Sequence, residues 1–202
     1  RTFKNFGKIT GYALTGNNVY IGATPGNHIF GAYSYGDAGV DTIENAAGGS
    51  VIFYAPGSVG WAYSSQQNQQ VKRSSINNGI MRLFGKYSLG IATDDDTQPD
   101  QMEFADIQLN NPIEIYGDES VGASFLTEQT SPLNSHNFEN SKFNIQIGGA
   151  ALTAQDATYG DTKGDVTKVQ NSVGLNFDFT NSNNGFTNLD INNYNVNLEN
   201  NS

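Results

Sequence analysis

Residues 112–125 read Pro-Ile-Glu-Ile-Tyr-Gly-Asp-Glu-Ser-Val-Gly-Ala-Ser-Phe: a β-prone run, a glycine turn and a second short apolar run. The turn, residues 117–122, has the form Gly-x-x-Ser-x-Gly with an apolar residue before the last glycine. Two further strict copies and two looser copies of this form occur in the chain, at residues 31–36, 85–90, 55–60 and 169–174. Self-similarity of this kind is the sequence signature of a repeat architecture.

The form of the repeat suggests one structural unit. Short β-branched or aromatic runs precede or enter the turns and predict strands, at residues 29–30, 51–54, 80–84 and 113–116. The first glycine can take a positive φ, the serine hydroxyl can bond nearby backbone groups, and the second glycine allows a neighbouring layer to approach closely. A strand, a tight corner and another strand make one coil, and such coils bury their apolar faces only by stacking. The repeat therefore predicts an all-β solenoid.

Two copies of the repeat also resemble a known family. Phe-Gly-Lys-Tyr-Ser-Leu-Gly-Ile at 84–91 and Tyr-Gly-Asp-Glu-Ser-Val-Gly-Ala at 116–123 are similar to rungs in the passengers of large type V autotransporter adhesins, most closely those of the fusobacterial outer membrane. The likeness covers about residues 27–180. It implies a right-handed parallel β-helix with inserted loops, displayed outside the cell. We therefore expect residues 1–202 to form a single β-solenoid segment of a larger extracellular passenger, anchored in the outer membrane through a region outside this chain.

The spacing of the repeat is irregular. The serines of the five copies stand at positions 34, 58, 88, 120 and 172, which are 24, 30, 32 and 52 residues apart. Intervals this uneven predict loops inserted between coils, or a degenerate coil before residue 172. Polar composition places the expected loops at residues 64–75, 93–101 and 127–142.

The composition and the net charge exclude some classes of binding partner. The 202 residues contain 10 Lys and Arg against 20 Asp and Glu, a net charge of −10. This balance argues against nucleic acid and anionic membranes as partners, because both require a basic patch. These 202 residues show neither the pattern of a leader peptide nor an apolar run of about 20 residues. We expect that this segment does not insert into a membrane and that it is processed or excised from a longer protein.

Cysteine is absent, which excludes a disulfide framework, a thiolate metal site and a thiol nucleophile. The absence of disulfides agrees with export through an outer-membrane pore in the unfolded state, as the resemblance implies. Glycine and asparagine are abundant and strong helix formers are scarce. This composition predicts Asx turns and asparagine ladders inside the corners of an all-β protein.

Alternating apolar residues predict further strands outside the repeats, at residues 143–147, 175–179 and 189–198. Residues 102–109 alternate as well, with Phe104, Ile107 and Leu109 as the expected buried positions, although a helix is also compatible with this stretch. Residues 42–47 have mild helical character.

Residues suited to catalysis are few. A serine hydrolase needs a serine, a histidine base and an orienting carboxylate, but the repeat serine, such as Ser120, recurs in every copy, which a single active site does not require. His28 and His136 are the only histidines, so a histidine-based metal site has little support. We predict a protein that is not an enzyme, without catalytic residues, cofactor or metal.

Acidic clusters offer two alternatives to that prediction. Asp94-Asp95-Asp96 with Asp100 supplies oxygen ligands of the kind that Ca²⁺ prefers, but it lacks EF-hand spacing and favours a solvated acidic loop. Two acidic pairs, Asp118-Glu119 and Asp161/Asp165, could serve as the carboxylates of a glycan-cleaving site. Asp118 and Glu119 occupy the variable slots of the corner, where other copies have unrelated residues. We interpret them as surface residues.

Aromatic residues cluster around the corners, at Trp61, Tyr63, Tyr33, Tyr35 and Tyr87. Such side chains can stack on sugar rings or enter a protein interface, and core packing is the alternative. For Tyr33 and Tyr87 the variable turn slot favours exposure, whereas Trp61 favours the core.

The sequence leads to one preferred function and two rivals. The preferred function is a virulence-related extracellular adhesin segment on the bacterial cell surface, which displays loops to a host-cell or bacterial surface protein or glycan. The rivals are a glycan-processing β-helix enzyme and a trimeric β-solenoid like those of phage tail-spikes.

Overall fold

The computed structural model describes residues 1–11, 29–35, 42–64, 70–93, 101–126, 138, 140–149, 169–178 and 194–198. These residues form fifteen β-strands and no helix. The strands are β1 Thr2–Asn5, β2 Lys8–Gly11, β3 Ile29–Tyr35, β4 Thr42–Asn45, β5 Ser50–Phe53, β6 Ser58–Ser64, β7 Gln70–Asn77, β8 Ile80–Leu83, β9 Leu89–Thr93, β10 Gln101–Leu109, β11 Ile113–Ile115, β12 Val121–Leu126, β13 Phe143–Ile147, β14 Val173–Asp178 and β15 Tyr194–Leu198. The expected all-β class is confirmed for this part of the chain.

The strands form three parallel sheets. The first has the order β1-β4-β7-β10, the second β2-β5-β8-β11-β13-β15, and the third β3-β6-β9-β12-β14. The structural repeat is therefore a unit of three consecutive strands, one in each sheet. The first four such repeats are β1–β3, β4–β6, β7–β9 and β10–β12. Strands that pair in parallel need long connections. Residues that pair across a sheet accordingly lie 29 to 52 positions apart in sequence, as for Ile29 with Ser58 and Val121 with Val173.

The apolar core lies between the three sheets. Val51, Met81 and Ile113 form a column across the second sheet, paired in register and fully buried. Ile43 from the first sheet and Trp61 from the third join the same buried cluster. One face of every sheet thus packs into one core, which is what successive repeats with period-two alternation require.

An asparagine ladder fixes the corner between the first and second sheets, as the composition predicted. Asn5 Nδ2 donates to Asn45 Oδ1 at 2.9 Å, and Asn45 Nδ2 donates to Asn77 Oδ1 at 3.0 Å. The Asn45 amide also donates to Ile80 O at 3.0 Å, and the Asn77 amide, at the end of the ladder, donates to Asn111 O at 3.0 Å. All three asparagine side chains are buried, so the ladder satisfies polar groups that water cannot reach.

Several strand predictions outside the repeats are confirmed. Phe143, Ile145 and Ile147 alternate as buried positions of β13, and Ile107 and Leu109 are buried in β10. The side chain of Phe104, the third position predicted to be buried in β10, lies outside the described residues. The structure decides for a strand over a helix at residues 101–109.

Two local predictions are wrong. Residues 42–45 form β4, not a helical segment, and residues 70–75, assigned to the loop at 64–75, belong to β7. In both strands the core-facing positions include polar residues: Asn45 in β4, and Arg73, Ser75 and Asn77 in β7. Their apolar alternation is therefore broken, and the pattern that reveals the other strands is missing.

The first copy of the repeat has a different register from the one that the sequence suggested. Ile29 pairs with Ser58, which places Gly31 beside Gly60 and Ser34 beside Tyr63. The match at residues 31–36 is therefore not a corner, and Gly31 corresponds to the last glycine of the other copies. At the other end, Val121 pairs directly with Val173, so inserted segments and not a hidden coil explain the 52-residue interval in the third sheet.

The remaining predictions fall outside the described residues. They concern His28, His136, Asp161/Asp165, the acidic cluster at 94–100 and most of the loops at 93–101 and 127–142. Within the last range, Phe138 and Ser141 are described and are buried.

Candidate ligand-contact ridge

Repeat serines form an internal column at the corner between the second and third sheets. Ser58 Oγ donates to Ala55 O at 2.7 Å, and Ser88 Oγ donates to Gly85 O at 2.8 Å. The column is also bonded between repeats, because the Ser88 N–H donates to Ser120 Oγ at 3.0 Å. Ser58, Ser88 and Ser120 are fully buried. Their hydroxyls hold the corner together and are closed to a substrate.

Glycines at the start of the corner allow neighbouring repeats to approach. A Cβ atom on Gly117 would lie 2.1 Å from Gly85 O, and one on Gly85 would lie 2.0 Å from Ala55 O. Neither glycine is among the residues with positive φ. The expected role of the first glycine in adopting a positive φ is therefore wrong, and close packing of backbones explains it instead.

The left-handed conformation occurs two residues later, directly before the serine. Gly57, Tyr87, Glu119 and Asn171 have φ values of 68°, 58°, 55° and 55°. They form a column at the apex of successive corners. Only one of the four is a glycine, and the three other side chains are exposed, with Tyr87 at 57%.

Backbone hydrogen bonds hold this apex in register. The N–H groups of three apex residues donate to the carbonyl of the preceding slot in the next repeat: Gly57 to Lys86 O at 2.8 Å, Tyr87 to Asp118 O at 3.0 Å and Glu119 to Gln170 O at 2.8 Å. Neighbouring parallel strands lie about 4.8 Å apart, so the apex residues form a regularly spaced row. We call the row of Lys86, Tyr87, Asp118, Glu119, Gln170 and Asn171 the corner ridge; Lys86 and Asp118 are half-buried and the other four residues are exposed.

Charged and polar side chains of the ridge contact each other. Lys86 Nζ lies 3.9 Å from Asp118 Oδ2, and the Gln170 N–H donates to Asp118 Oδ1 at 2.9 Å. The predicted surface position is confirmed for Glu119, whereas Asp118 is half-buried. Nothing in these contacts places the two carboxylates across a substrate-sized gap.

A stack of aromatic rings supports the ridge from inside. The centroids of Tyr54 and Phe84 lie 5.1 Å apart, and those of Phe84 and Tyr116 lie 4.9 Å apart. All three rings are buried immediately before the corner. Offset stacking of this kind adds to the area buried and makes the corner rigid.

The other aromatic candidates separate into core and surface. Trp61 and Tyr63 are fully buried, and Tyr63 Oη donates to Ser74 O at 3.0 Å. Burial raises the pKa of Tyr63 far above its ordinary value. Tyr33 is 43% exposed and stacks on Phe30 with centroids 5.0 Å apart. Exposure is confirmed for Tyr33 and Tyr87, the core position is confirmed for Trp61, and the Tyr35 side chain lies outside the described residues.

The sequence analysis did not predict that the residues before the repeat serines form a column with positive φ. A signal was present, because the slot before the serine holds Gly57 and Asn171 in two copies, and these are the two residue types that adopt positive φ most readily.

Within the described ranges, no three His, Cys, Asp or Glu side chains are grouped so that they could bind a metal ion. The same part of the chain contains no helix long and apolar enough to cross a membrane. Comparison with known protein families, curated proteins and solved structures finds no match.

Proposed function

We propose that the chain is a right-handed parallel β-helix segment of an autotransporter-like adhesin passenger, located on the outside of a bacterial cell. Two observations support the architecture. The three parallel sheets advance by one strand per repeat, and the repeats at 84–91 and 116–123 resemble rungs of that family. In this proposal the segment binds a surface protein or glycan of a host cell or another bacterium, and it has no catalytic function.

This proposal rests mainly on the apex column, formed by Gly57, Tyr87, Glu119 and Asn171. A non-glycine residue in the left-handed region is disfavoured by about 1–2 kcal/mol, and Gly57 shows that the corner accepts a glycine there. Tyr87 and Glu119 nevertheless occupy the same position with exposed side chains. Folding alone does not explain these residues, whereas contact with a ligand does.

The ridge has the chemistry of a contact surface. Tyrosine offers a large rigid area with a polar end, and the neighbouring amides and carboxylates of Asn171, Gln170 and Glu119 can bond hydroxyl or amide groups of a glycan or protein. Because the backbone of the ridge is fixed by hydrogen bonds and by the aromatic stack, little conformational entropy is lost on binding.

The test compares two exposed tyrosines. Fluorescently labelled protein is incubated with host epithelial cells and with other bacteria, and bound protein is measured by flow cytometry. Tyr87→Gly gives this corner the same residue type that Gly57 supplies at the equivalent position, so the corner conformation stays unstrained. We expect a several-fold loss of binding with no loss of stability. Tyr33→Ser, at an exposed tyrosine on a strand of the third sheet, is the matched control and should bind like the wild type.

Two outcomes would reject the proposal. One is wild-type protein that binds no cell above the level of an inert protein, and the other is equal binding by the wild type and Tyr87→Gly. Release of reducing sugars from polysaccharides would support the enzyme instead.

A further inference from the structure

The corner ridge carries an exposed aromatic ring directly beside an exposed carboxylate. Tyr87 and Glu119 stand at equivalent apex positions of adjacent repeats, with φ values of 58° and 55°. Their backbones are joined at this point, because the Tyr87 N–H donates to Asp118 O at 3.0 Å. Neighbouring parallel strands lie about 4.8 Å apart, so the two exposed side chains leave the corner next to each other.

The protein itself does not neutralise the charge of Glu119. Within the described residues, its carboxylate has no ion-pair or hydrogen-bond partner. Lys86, the basic residue of the ridge, lies with its Nζ 3.9 Å from Asp118 Oδ2, and Arg82 Nε lies 2.9 Å from Glu114 Oε2. Both basic side chains next to this corner are therefore paired with other carboxylates, and Glu119 is left to the solvent or to a ligand.

The Tyr87 ring is accessible from its other side. The apex residue of the neighbouring repeat there is Gly57, which has no side chain. Tyr87 is 57% exposed, and in the part of the chain that the structure describes no other ring stacks on it. An aromatic face that is open in this way can attract a cation.

The ring and the carboxylate together fit a cationic group. An ammonium or guanidinium group is attracted by the face of the ring, and it donates charge-assisted hydrogen bonds to a carboxylate. A neutral ligand would remove Glu119 from water without compensating its charge, which is unfavourable. An anionic ligand is disfavoured further by the net charge of −10 on the chain.

We propose that the corner ridge binds a lysine or arginine side chain of a partner protein, with the cation between the Tyr87 ring and the Glu119 carboxylate. The inference rests on the proposed adhesive function and names the chemistry of its ligand, a basic protein surface and not a neutral glycan. The acidic chain attracts such a partner over a longer range as well, and this attraction weakens as the salt concentration rises.

The probe is a synthetic peptide in which lysine and arginine alternate with glycine and serine, immobilised on a biosensor surface. A peptide with glutamine in place of every lysine and arginine is the neutral control. At physiological ionic strength the wild type should bind the basic peptide and not the neutral one. The binding should weaken at higher salt.

Two variants separate the ridge from the net charge. Glu119→Asn removes the carboxylate and introduces the residue type of Asn171 at the equivalent position, which tolerates a positive φ. Glu44→Gln removes one charge from the first sheet and is the matched control. After circular dichroism has shown that both are folded, Glu119→Asn should bind the basic peptide at least about fivefold more weakly, and Glu44→Gln should stay within about twofold of the wild type. Tyr87→Phe keeps the ring and should bind like the wild type.

Wild-type protein that binds neither peptide, or both equally, would overturn the proposal. Equal losses in Glu119→Asn and Glu44→Gln would overturn it too, because net charge alone would then explain the binding. Cell binding separates this proposal from adhesion itself. If Tyr87→Gly loses cell binding and Glu119→Asn retains it, the ridge is adhesive but its ligand is not cationic. Absence of cell binding rejects adhesion, whereas the peptide measurement still decides on the cationic ligand.

Discussion

A Cβ atom on Gly90 would lie 2.2 Å from the carbonyl oxygen of Gly122. The two glycines stand in adjacent strands of the third sheet, β9 and β12, and the obstructing atom belongs to the backbone. The repeats lie so close together that only a glycine fits at the last glycine position of the repeat. The stability of a variant with a side chain there therefore reports directly on how closely the repeats stack.

Gly90→Ala should lower the free energy of unfolding by about 1–3 kcal/mol, because overpacking against a backbone atom forces neighbouring repeats apart. The Ile113 side chain, 2.8 Å from the same Cβ position, leaves little room for relaxation. Urea unfolding measures the loss. Gly7→Ala is the matched control, since the nearest atom to its Cβ is 3.9 Å away, and its effect should stay within about 0.5 kcal/mol. Equal losses in the two variants would contradict close stacking at Gly90.

Asn45→Ala should lower the free energy of unfolding by about 2–3 kcal/mol, because it leaves buried partners of the ladder unsatisfied. The lost bonds include those with Asn5 and Asn77 at 2.9 and 3.0 Å. Asn144→Ala interrupts a longer and exposed amide contact, with Asn195 at 3.3 Å, and should have little effect. A ladder without structural importance would give the two variants similar unfolding midpoints.

Ser120→Ala should destabilise the protein by about 1–3 kcal/mol, since it orphans a buried donor, the N–H of Ser88. Ser172→Ala removes the acceptor of the Ser120 N–H in the same way, but Ser172 is only partly buried, and water can replace the bond. The loss should therefore be smaller. Thermal unfolding compares the two, and cell binding should be retained in both; loss of an activity at unchanged stability would point to a nucleophile.

We predict that the protein loses stability at high pH because the hydroxyl of Tyr63 is buried. Burial raises the pKa of its hydroxyl in the folded state above the unfolded value of about 10. The unfolded chain therefore releases this proton first, and the stability that neutral Tyr63 contributes is present below about pH 10 and decreases as the pH rises beyond it. Ultraviolet titration of the wild type and Tyr63→Phe should show the same number of tyrosinates before unfolding. One additional tyrosinate in the folded wild type would contradict the prediction.

Sequence patterns predicted the strands whose core-facing residues are apolar. Phe143, Ile145 and Ile147 made β13 evident, whereas β7 was missed because Arg73, Ser75 and Asn77 face the core. These buried polar side chains need hydrogen-bond partners from other repeats, and the sequence of one strand does not reveal such partners.

The register and the role of each corner residue were harder to predict. The match at residues 31–36 has the right spacing, yet Gly31 packs against Gly60 as the last glycine of a corner does. Likewise, the positive φ belongs to Tyr87 and Glu119 and not to the first glycine. Both facts depend on distances between backbones of different repeats, and a local motif does not encode those distances. The exposure of Tyr87 could be predicted because variable turn slots rarely face a core, whereas Tyr33 is exposed on the strand β3 and not in the turn that the sequence suggested.

Repeats that are separated by long insertions stack directly on each other in this fold. Val121 and Val173 provide the most direct test, because they pair across the interval of 52 residues, and the chain has no native cysteine. The double variant Val121→Cys/Val173→Cys is treated with dibromobimane, which becomes fluorescent when it bridges two nearby thiols.

The control variant, Val121→Cys/Tyr194→Cys, places its second thiol on an exposed position of the second sheet. We predict a fluorescent intramolecular bridge in the folded Val121/Val173 variant and none in the control or in urea. No bridge between positions 121 and 173, or equal bridging in the control, would contradict the stacked arrangement.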